Sequence, residues 1–159
     1  MRPAILILAV ALAACRTQPL GVSSDGGGMT ADDGVYAAES LPTALNRISI
    51  TKVSAARDLC FSVLLVNPDT TNAFGITLPP KWSIQGAWVS RPAKSCTVFL
   101  APSGGLNAAK GMGTITFDKA DFPCTITLDA TLVFPTNTSN YPTVEELDAA
   151  QVTVPGVCK

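Results

Sequence analysis

The sequence predicts an all-β fold, an antiparallel β-sandwich of roughly seven strands. Runs of alternating apolar and polar residues recur along the chain, and Gly, Pro, Asn and Asp residues separate them. Charged residues make up only 14% of the chain while Thr, Val, Gly and Pro are abundant, a composition that favours strands over helices. The expected sandwich resembles immunoglobulin domains in architecture only, because the sequence lacks the Cys…Trp…Cys spacing typical of those domains.

The predicted strands follow one another at short intervals. In the first, Ile48 and Ile50 alternate with polar residues. In residues 59–66 the odd-numbered apolar side chains share one face, and the opposite face carries Cys60 and Ser62. The full set of predicted strands is 46–51, 59–66, 74–78, 82–89, 95–101, 113–117, 124–134 and 151–155.

Two segments depart from this alternation. Residues 34–45 fit neither a strand nor a helix pattern clearly, and we expect Tyr36 and Leu41 to dock onto the end of the domain. The run Thr143-Val144-Glu145-Glu146 has the capping-box pattern that starts helices. It predicts one or two helical turns over 143–149, and the sandwich is expected to contain at most this one short helix.

Two tryptophans occupy the predicted strand 82–89. At their spacing, Trp82 and Trp88 share a strand face with Ile84, opposite the polar Ser83 and Gln85. We therefore expect both indoles to pack in the core. The alternative is a binding role, since paired aromatic rings can stack on sugars.

The N-terminal residues have the build of an export signal. Arg2 precedes an apolar run of about ten residues, which is too short to span a bilayer, since a spanning helix needs roughly 20. The run ends at Leu12-Ala13-Ala14-Cys15, which resembles the lipobox of bacterial lipoproteins, Leu-(Ala/Ser)-(Gly/Ala)-Cys, at every position. The resemblance covers residues 1–15 only; the alternative is an ordinary signal peptide that contains a cysteine.

The lipoprotein resemblance implies a processing site and a location in the cell. The chain would be cleaved between Ala14 and Cys15, and Cys15 would carry acyl chains such as palmitate, which hold the protein on a membrane. Arg16 departs from the Asp that retains many such proteins in the inner membrane, so the outer membrane of the bacterial envelope is favoured. Three segments are predicted: a signal peptide 1–14, a lipidated cysteine with a flexible Gly/Ser/Asp-rich tether 15–33, and one β-sandwich domain 34–159.

The remaining cysteines predict disulfides. Assigning Cys15 to lipid leaves an even set of four, which in an exported domain indicates two disulfides with three possible connectivities. The simplest connectivity pairs cysteines that are consecutive in the sequence. Metal binding is the weaker alternative, because no two of these cysteines are close in sequence and the chain has no histidine. The four residues are Cys60, Cys96, Cys124 and Cys158, and consecutive pairing gives Cys60–Cys96 and Cys124–Cys158.

Composition removes most catalytic chemistries. Without histidine, a Ser-His-Asp or Cys-His arrangement cannot form, and no glycine-rich loop has the Lys-Ser/Thr of a phosphate-binding site. A net charge of −1 offers no field for nucleic acid. Carboxylates are the remaining catalytic candidates, and turn formation and helix N-terminal charge explain them without catalysis. They are Asp118 and Asp121 in a turn, and Glu145, Glu146 and Asp148 near the predicted helix.

These observations favour a non-enzymatic envelope protein without metal or cofactor. We expect the tethered sandwich to act as a binding or assembly module, anchored to the membrane through Cys15, with an envelope protein or a glycan as its partner. Two alternatives remain: a module that binds carbohydrate or another small ligand, and a hydrolase that uses a pair of carboxylates.

Overall fold

The computed structural model describes residues 34–40, 46–67, 74–96, 105–136 and 140–155. They lie in one compact unit, Asp32–Lys159, and contain eight β-strands and one turn of 3-10 helix, Ala93–Ser95. The all-β class is confirmed. The strands are β1 (Val35–Ser40), β2 (Arg47–Ser54), β3 (Leu59–Val66), β4 (Ser83–Ser90), β5 (Leu106–Asn107), β6 (Lys110–Phe117), β7 (Thr125–Val133) and β8 (Val144–Thr153).

The strands form two antiparallel sheets. The first sheet has the order β1-β2-β3-β4-β5 and the second has the order β6-β7-β8. Within each sheet, every strand is therefore hydrogen-bonded to its neighbours in sequence, as in a meander. Immunoglobulin domains connect their strands as Greek keys instead, so the likeness to them is one of sandwich architecture and not of strand order.

One apolar core lies between the inward faces of the two sheets. The first sheet contributes Phe61 and Val63 of β3, and the second contributes Leu128 and Leu132 of β7, each at most 1% exposed. Phe61 also meets Phe134, with their ring centroids 6.2 Å apart. Each large apolar side chain buried in this way contributes about 1.5–3 kcal/mol to stability.

Residues 74–78 run beside β6 as a short parallel partner. Thr77 donates its N–H to Gly113 O at 2.8 Å and accepts at its own carbonyl from the N–H of Ile115 at 2.9 Å. Gly113 has a φ of 104°, and a Cβ at this position would collide with the carbonyl oxygen of Asp129. Glycine is therefore required at this position of β6, where the backbone of β7 approaches closely.

Several sequence predictions agree closely with the structure. The predicted strand 59–66 is β3 with the same bounds, and 124–134 corresponds to β7. The predicted strand 46–51 continues to Ser54 as β2, because β1 and β3 flank it along its full length. The strand β1 itself was missed in the segment 34–45. In the predicted strand 95–101, Ser95 belongs to the 3-10 turn, Cys96 follows it, and residues 97–101 lie outside the described residues.

The predicted helix over 143–149 is wrong, since residues 144–149 lie in β8. Glu145 and Leu147 are buried, whereas Glu146 and Asp148 are exposed, which is the two-residue period of a strand. Pairing with β7 places Thr131 opposite Glu146 and Ala130 opposite Leu147. The hydrogen bonds and core contacts of this pairing outweigh the local helix-starting pattern.

The predicted common face for the two tryptophans is also wrong. The register between β3 and β4 shifts at Leu64/Leu65, and Gln85 is the extra residue on β4. Ile84 therefore points into the core with Trp82, whereas Trp88 lies on the outer face of the first sheet, opposite Ser62. Both indoles are nonetheless buried, at 3% and 5% exposure.

Candidate functional site

A cluster of three charged residues, two of them buried, joins the two sheets at one end of the core. Lys52 of β2 and Glu145 of β8 are each 4% exposed, and Lys52 Nζ lies 2.7 Å from Glu145 Oε1. Arg57, from the turn between β2 and β3, binds the same carboxylate in bidentate fashion. Its Nη1 donates to Oε2 and its Nη2 to Oε1, both at 2.7 Å. One anion is thus held by two cations.

Strand alternation explains why these residues meet. Lys52 follows Ile48 and Ile50 at two-residue intervals, so its side chain points inward from β2. Glu145 precedes Leu147 on the inward face of β8. On each of these two strands a charged residue therefore lies at the end of the row of inward-facing apolar residues. Lys52 and Glu145 both lie at the same end of the sandwich.

The surrounding residues orient the Arg57 guanidinium. Its Nε donates to Ser54 Oγ at 2.9 Å, and its Cζ lies 5.4 Å from the centroid of the Phe61 ring. These contacts hold the planar fork so that both of its ends face the carboxylate, the geometry in which an Arg–carboxylate pair is strongest. Arg57 itself is 37% exposed, so the cluster reaches from the core to the surface.

The same cluster also covers the edge of β8. Lys52 Nζ donates to the Glu146 carbonyl at 2.7 Å, and Tyr36 Oη accepts from the Asp148 N–H at 2.9 Å. The Lys52 ammonium lies 5.7 Å from the centroid of the Tyr36 ring. Side chains of β1 and β2 therefore satisfy backbone groups at the edge of the second sheet, where an open edge would otherwise invite pairing with another chain.

The five acidic residues proposed from sequence separate into two distant groups. Asp118 Oδ1 accepts from the N–H groups of Thr125 at 3.0 Å and Cys124 at 2.8 Å. These bonds, that from Thr125 above all, lower the pKa of Asp118, and nearby Lys119 contributes to the same direction. Asp118 thus serves the turn before β7, in agreement with its predicted turn role.

The two groups are too far apart to act together. Asp118 binds the first residue of β7, whereas Glu145 pairs with Leu132, seven residues further along that strand. At about 3.3 Å per residue the separation is about 23 Å. A pair of glycosidase carboxylates needs roughly 5–10 Å. Within the second group, both Glu145 oxygens are occupied by Lys52 and Arg57.

One of the two predicted disulfides is present in the described residues. Cys60 and Cys96 are bonded, with their Cα atoms 5.4 Å apart. Cys124 has no disulfide partner among the described residues, and Cys158 lies outside them, so that pairing stays a prediction. Ala14 and Cys15, the predicted cleavage and lipidation residues, also lie outside the described residues.

The Lys52–Glu145–Arg57 cluster was missed in the sequence. One signal was available: a charged residue standing where the alternation calls for an apolar one, as Lys52 does after Ile48 and Ile50. Glu145 gives the same signal once residues 144–153 are assigned to a strand.

Comparisons with protein-family models, curated proteins and solved structures found no match. No helix in the described ranges is both long enough and apolar enough to cross a membrane. Function is therefore inferred from the residues of this chain alone.

Proposed function

We propose that this protein is a non-enzymatic lipoprotein of the bacterial cell envelope whose tethered β-sandwich acts as a binding or assembly module. The observation that carries the proposal is the run Leu12-Ala13-Ala14-Cys15, which follows a short apolar segment and matches the lipobox at each position. Arg16, in place of a retaining Asp, favours the outer membrane. The Cys60–Cys96 disulfide is consistent with this placement, since disulfides persist in oxidising compartments.

The disposition of the acidic residues supports a role other than catalysis. Glu145 is tied to Lys52 and Arg57, and Asp118 is committed to a turn about 23 Å away. The chain has no histidine to act as a general base. A carboxylate-dependent hydrolase therefore has little support.

Binding of carbohydrate through stacked tryptophans also has little support. Trp82 and Trp88 are 3% and 5% exposed, so neither offers an open ring face to a sugar. Trp82 Nε1 donates to the Ala120 carbonyl at 2.9 Å, and its ring meets Phe117 edge-on with centroids 5.1 Å apart. These contacts give Trp82 a packing role.

Lipidation is tested by labelling cells with palmitate while they express the wild type, Cys15→Ser or Cys124→Ser. We expect label on the wild type and on the Cys124→Ser control, because only Cys15 stands at the lipobox. Cys15→Ser should carry no label and should retain its 14 N-terminal residues as a larger precursor. Equal labelling and equal size for Cys15→Ser and the wild type would overturn the proposal.

A further inference from the structure

The second sheet has one face that points away from the core. Strand alternation turns most of the apolar residues of β6, β7 and β8 inward, and a second set of side chains outward. We call this set the outer face. It comprises Lys110, Met112, Thr114 and Thr116 of β6, Thr125, Thr127, Asp129, Thr131 and Val133 of β7, and Val144, Glu146, Asp148 and Thr153 of β8.

One corner of the outer face is apolar although it is exposed. Met112 is 50% exposed and Val144 is 52% exposed. Val133 lies directly opposite Val144 and diagonal to Met112, whose own partner on β7 is Thr131. Diagonal neighbours are within reach of a long side chain such as methionine, so the three apolar side chains adjoin one another across the three strands. Exposed apolar side chains that adjoin one another in this way are typical of contact surfaces.

The charges on the outer face are arranged unfavourably for the isolated sheet. Asp129 stands directly opposite Asp148, and Glu146 is diagonal to Asp129. Like charges opposite each other destabilise a pair of strands. Within the described part of the chain, none of these three carboxylates has an ion-pair partner. Folding of the sheet therefore leaves repulsion that an external cation would relieve.

We infer that the outer face is the contact surface for a partner protein that presents Lys or Arg side chains beside an apolar residue. The cations would neutralise Asp129, Glu146 and Asp148, and the apolar residue would cover the Met112–Val144 corner. A second copy of the chain docked through the same face would offer only one cation of that face, Lys110, to three carboxylates. The inference rests on the proposed binding function and names the surface and partner chemistry for it.

The experiment is site-specific photo-crosslinking in intact cells with the full chain. Benzoylphenylalanine replaces Thr114, which is exposed on the outer face, or one of two exposed control positions on the first sheet, Gln85 of β4 and Val35 of β1. We expect an adduct from Thr114 and none from the controls. Sequencing of the adduct should place Lys or Arg of the partner at the contact.

Charge dependence is tested in the Thr114 crosslinking background. The double change Asp129→Asn with Asp148→Asn should lower the adduct yield by about fivefold or more. Its matched control, Glu39→Gln with Asp121→Asn, removes the same charge from exposed positions elsewhere and should leave the yield unchanged. Because the first double change removes like-charge repulsion, its melting temperature should not fall, which separates lost binding from lost folding.

The remaining outcomes overturn the inference in distinguishable ways. A basic partner protein is excluded if the yield of the Thr114 adduct does not change with the double change. It is also excluded if that adduct joins two copies of this chain or joins the chain to a glycan. Adducts from Gln85 or Val35 alone would place binding on the first sheet and leave the proposed binding function standing. If none of the three positions gives an adduct, both the inference about the outer face and the proposed binding function are contradicted.

Discussion

Glu145 of the second sheet is bound by two cations, Lys52 of β2 and Arg57 of the turn that follows it. A carboxylate buried to 4% exposure has lost its water, and here the Lys52 ammonium and the Arg57 guanidinium replace it. Such a buried pair contributes little against an apolar replacement, because desolvation offsets the attraction. Removing one partner alone is much more costly, since it leaves an unpaired charge in the core.

The change Glu145→Gln should therefore destabilise the domain by about 3–5 kcal/mol, because Lys52 would stay buried without its anion. Glu146→Gln, next in sequence but exposed, is the matched control and should change stability by less than about 0.5 kcal/mol. Chemical denaturation followed by circular dichroism measures both. The double change Lys52→Met with Glu145→Leu should recover most of the loss. Equal stability of Glu145→Gln and Glu146→Gln would show that the cluster is not energetically coupled to the fold.

Single residues also mark the limit of sequence-based prediction for this site. Lys52 was readable as an inward-pointing charge because it continues the alternation of Ile48 and Ile50. Glu145 could not be predicted as its partner, because it lies 93 residues further along the sequence and in a run that fits a helix cap. Which distant strand faces which cannot be obtained from local periodicity.

At the scale of elements, β1 and β8 depend on each other. β8 is the edge strand of the second sheet, and Tyr36 of β1 accepts a hydrogen bond from the Asp148 N–H. β1 pairs with β2 over all six of its residues, although only part of its sequence alternates. Pairing with neighbouring strands, more than the local sequence, gives both segments their strand conformation. For this reason the pattern of residues 34–45 is ambiguous and that of 143–149 predicts a helix.

Tyr36→Phe tests this dependence, since it removes the acceptor and keeps the ring. We expect a loss of about 0.5–1.5 kcal/mol in the free energy of unfolding. Amide hydrogen exchange at Asp148, measured by NMR, should become faster because its N–H loses a protein partner. The Val154 N–H, which donates to the Cys124 carbonyl at 2.8 Å, is the control amide and should keep its rate. Unchanged exchange at Asp148 would mean that Tyr36 does not protect this edge.

At the scale of the whole molecule, the cysteines decide how firmly distant parts of the chain are joined. Cys60–Cys96 ties β3 to the segment after β4. The other predicted bond would tie the start of β7 to the C-terminus. Thr125 pairs with Thr153, and the Val154 N–H donates to the Cys124 carbonyl, so the end of β8 lies beside Cys124. Cys158 follows four residues later, and Pro155-Gly156 is a sequence that favours a turn back.

We therefore expect alkylation of the purified, oxidised protein without reductant to label none of the four cysteines after Cys15. Reduction should expose all four, as counted by mass spectrometry, and should destabilise the domain, since each disulfide contributes about 2–4 kcal/mol. The Cys124→Ser variant distinguishes the connectivities: it should free one thiol, at Cys158, and leave Cys60–Cys96 intact. Labelling of both Cys124 and Cys158 in the wild type would limit the covalent framework to the single bond between β3 and Cys96. The carboxyl end of β8 would then be held by hydrogen bonds and by the burial of Val152 and Val154 alone.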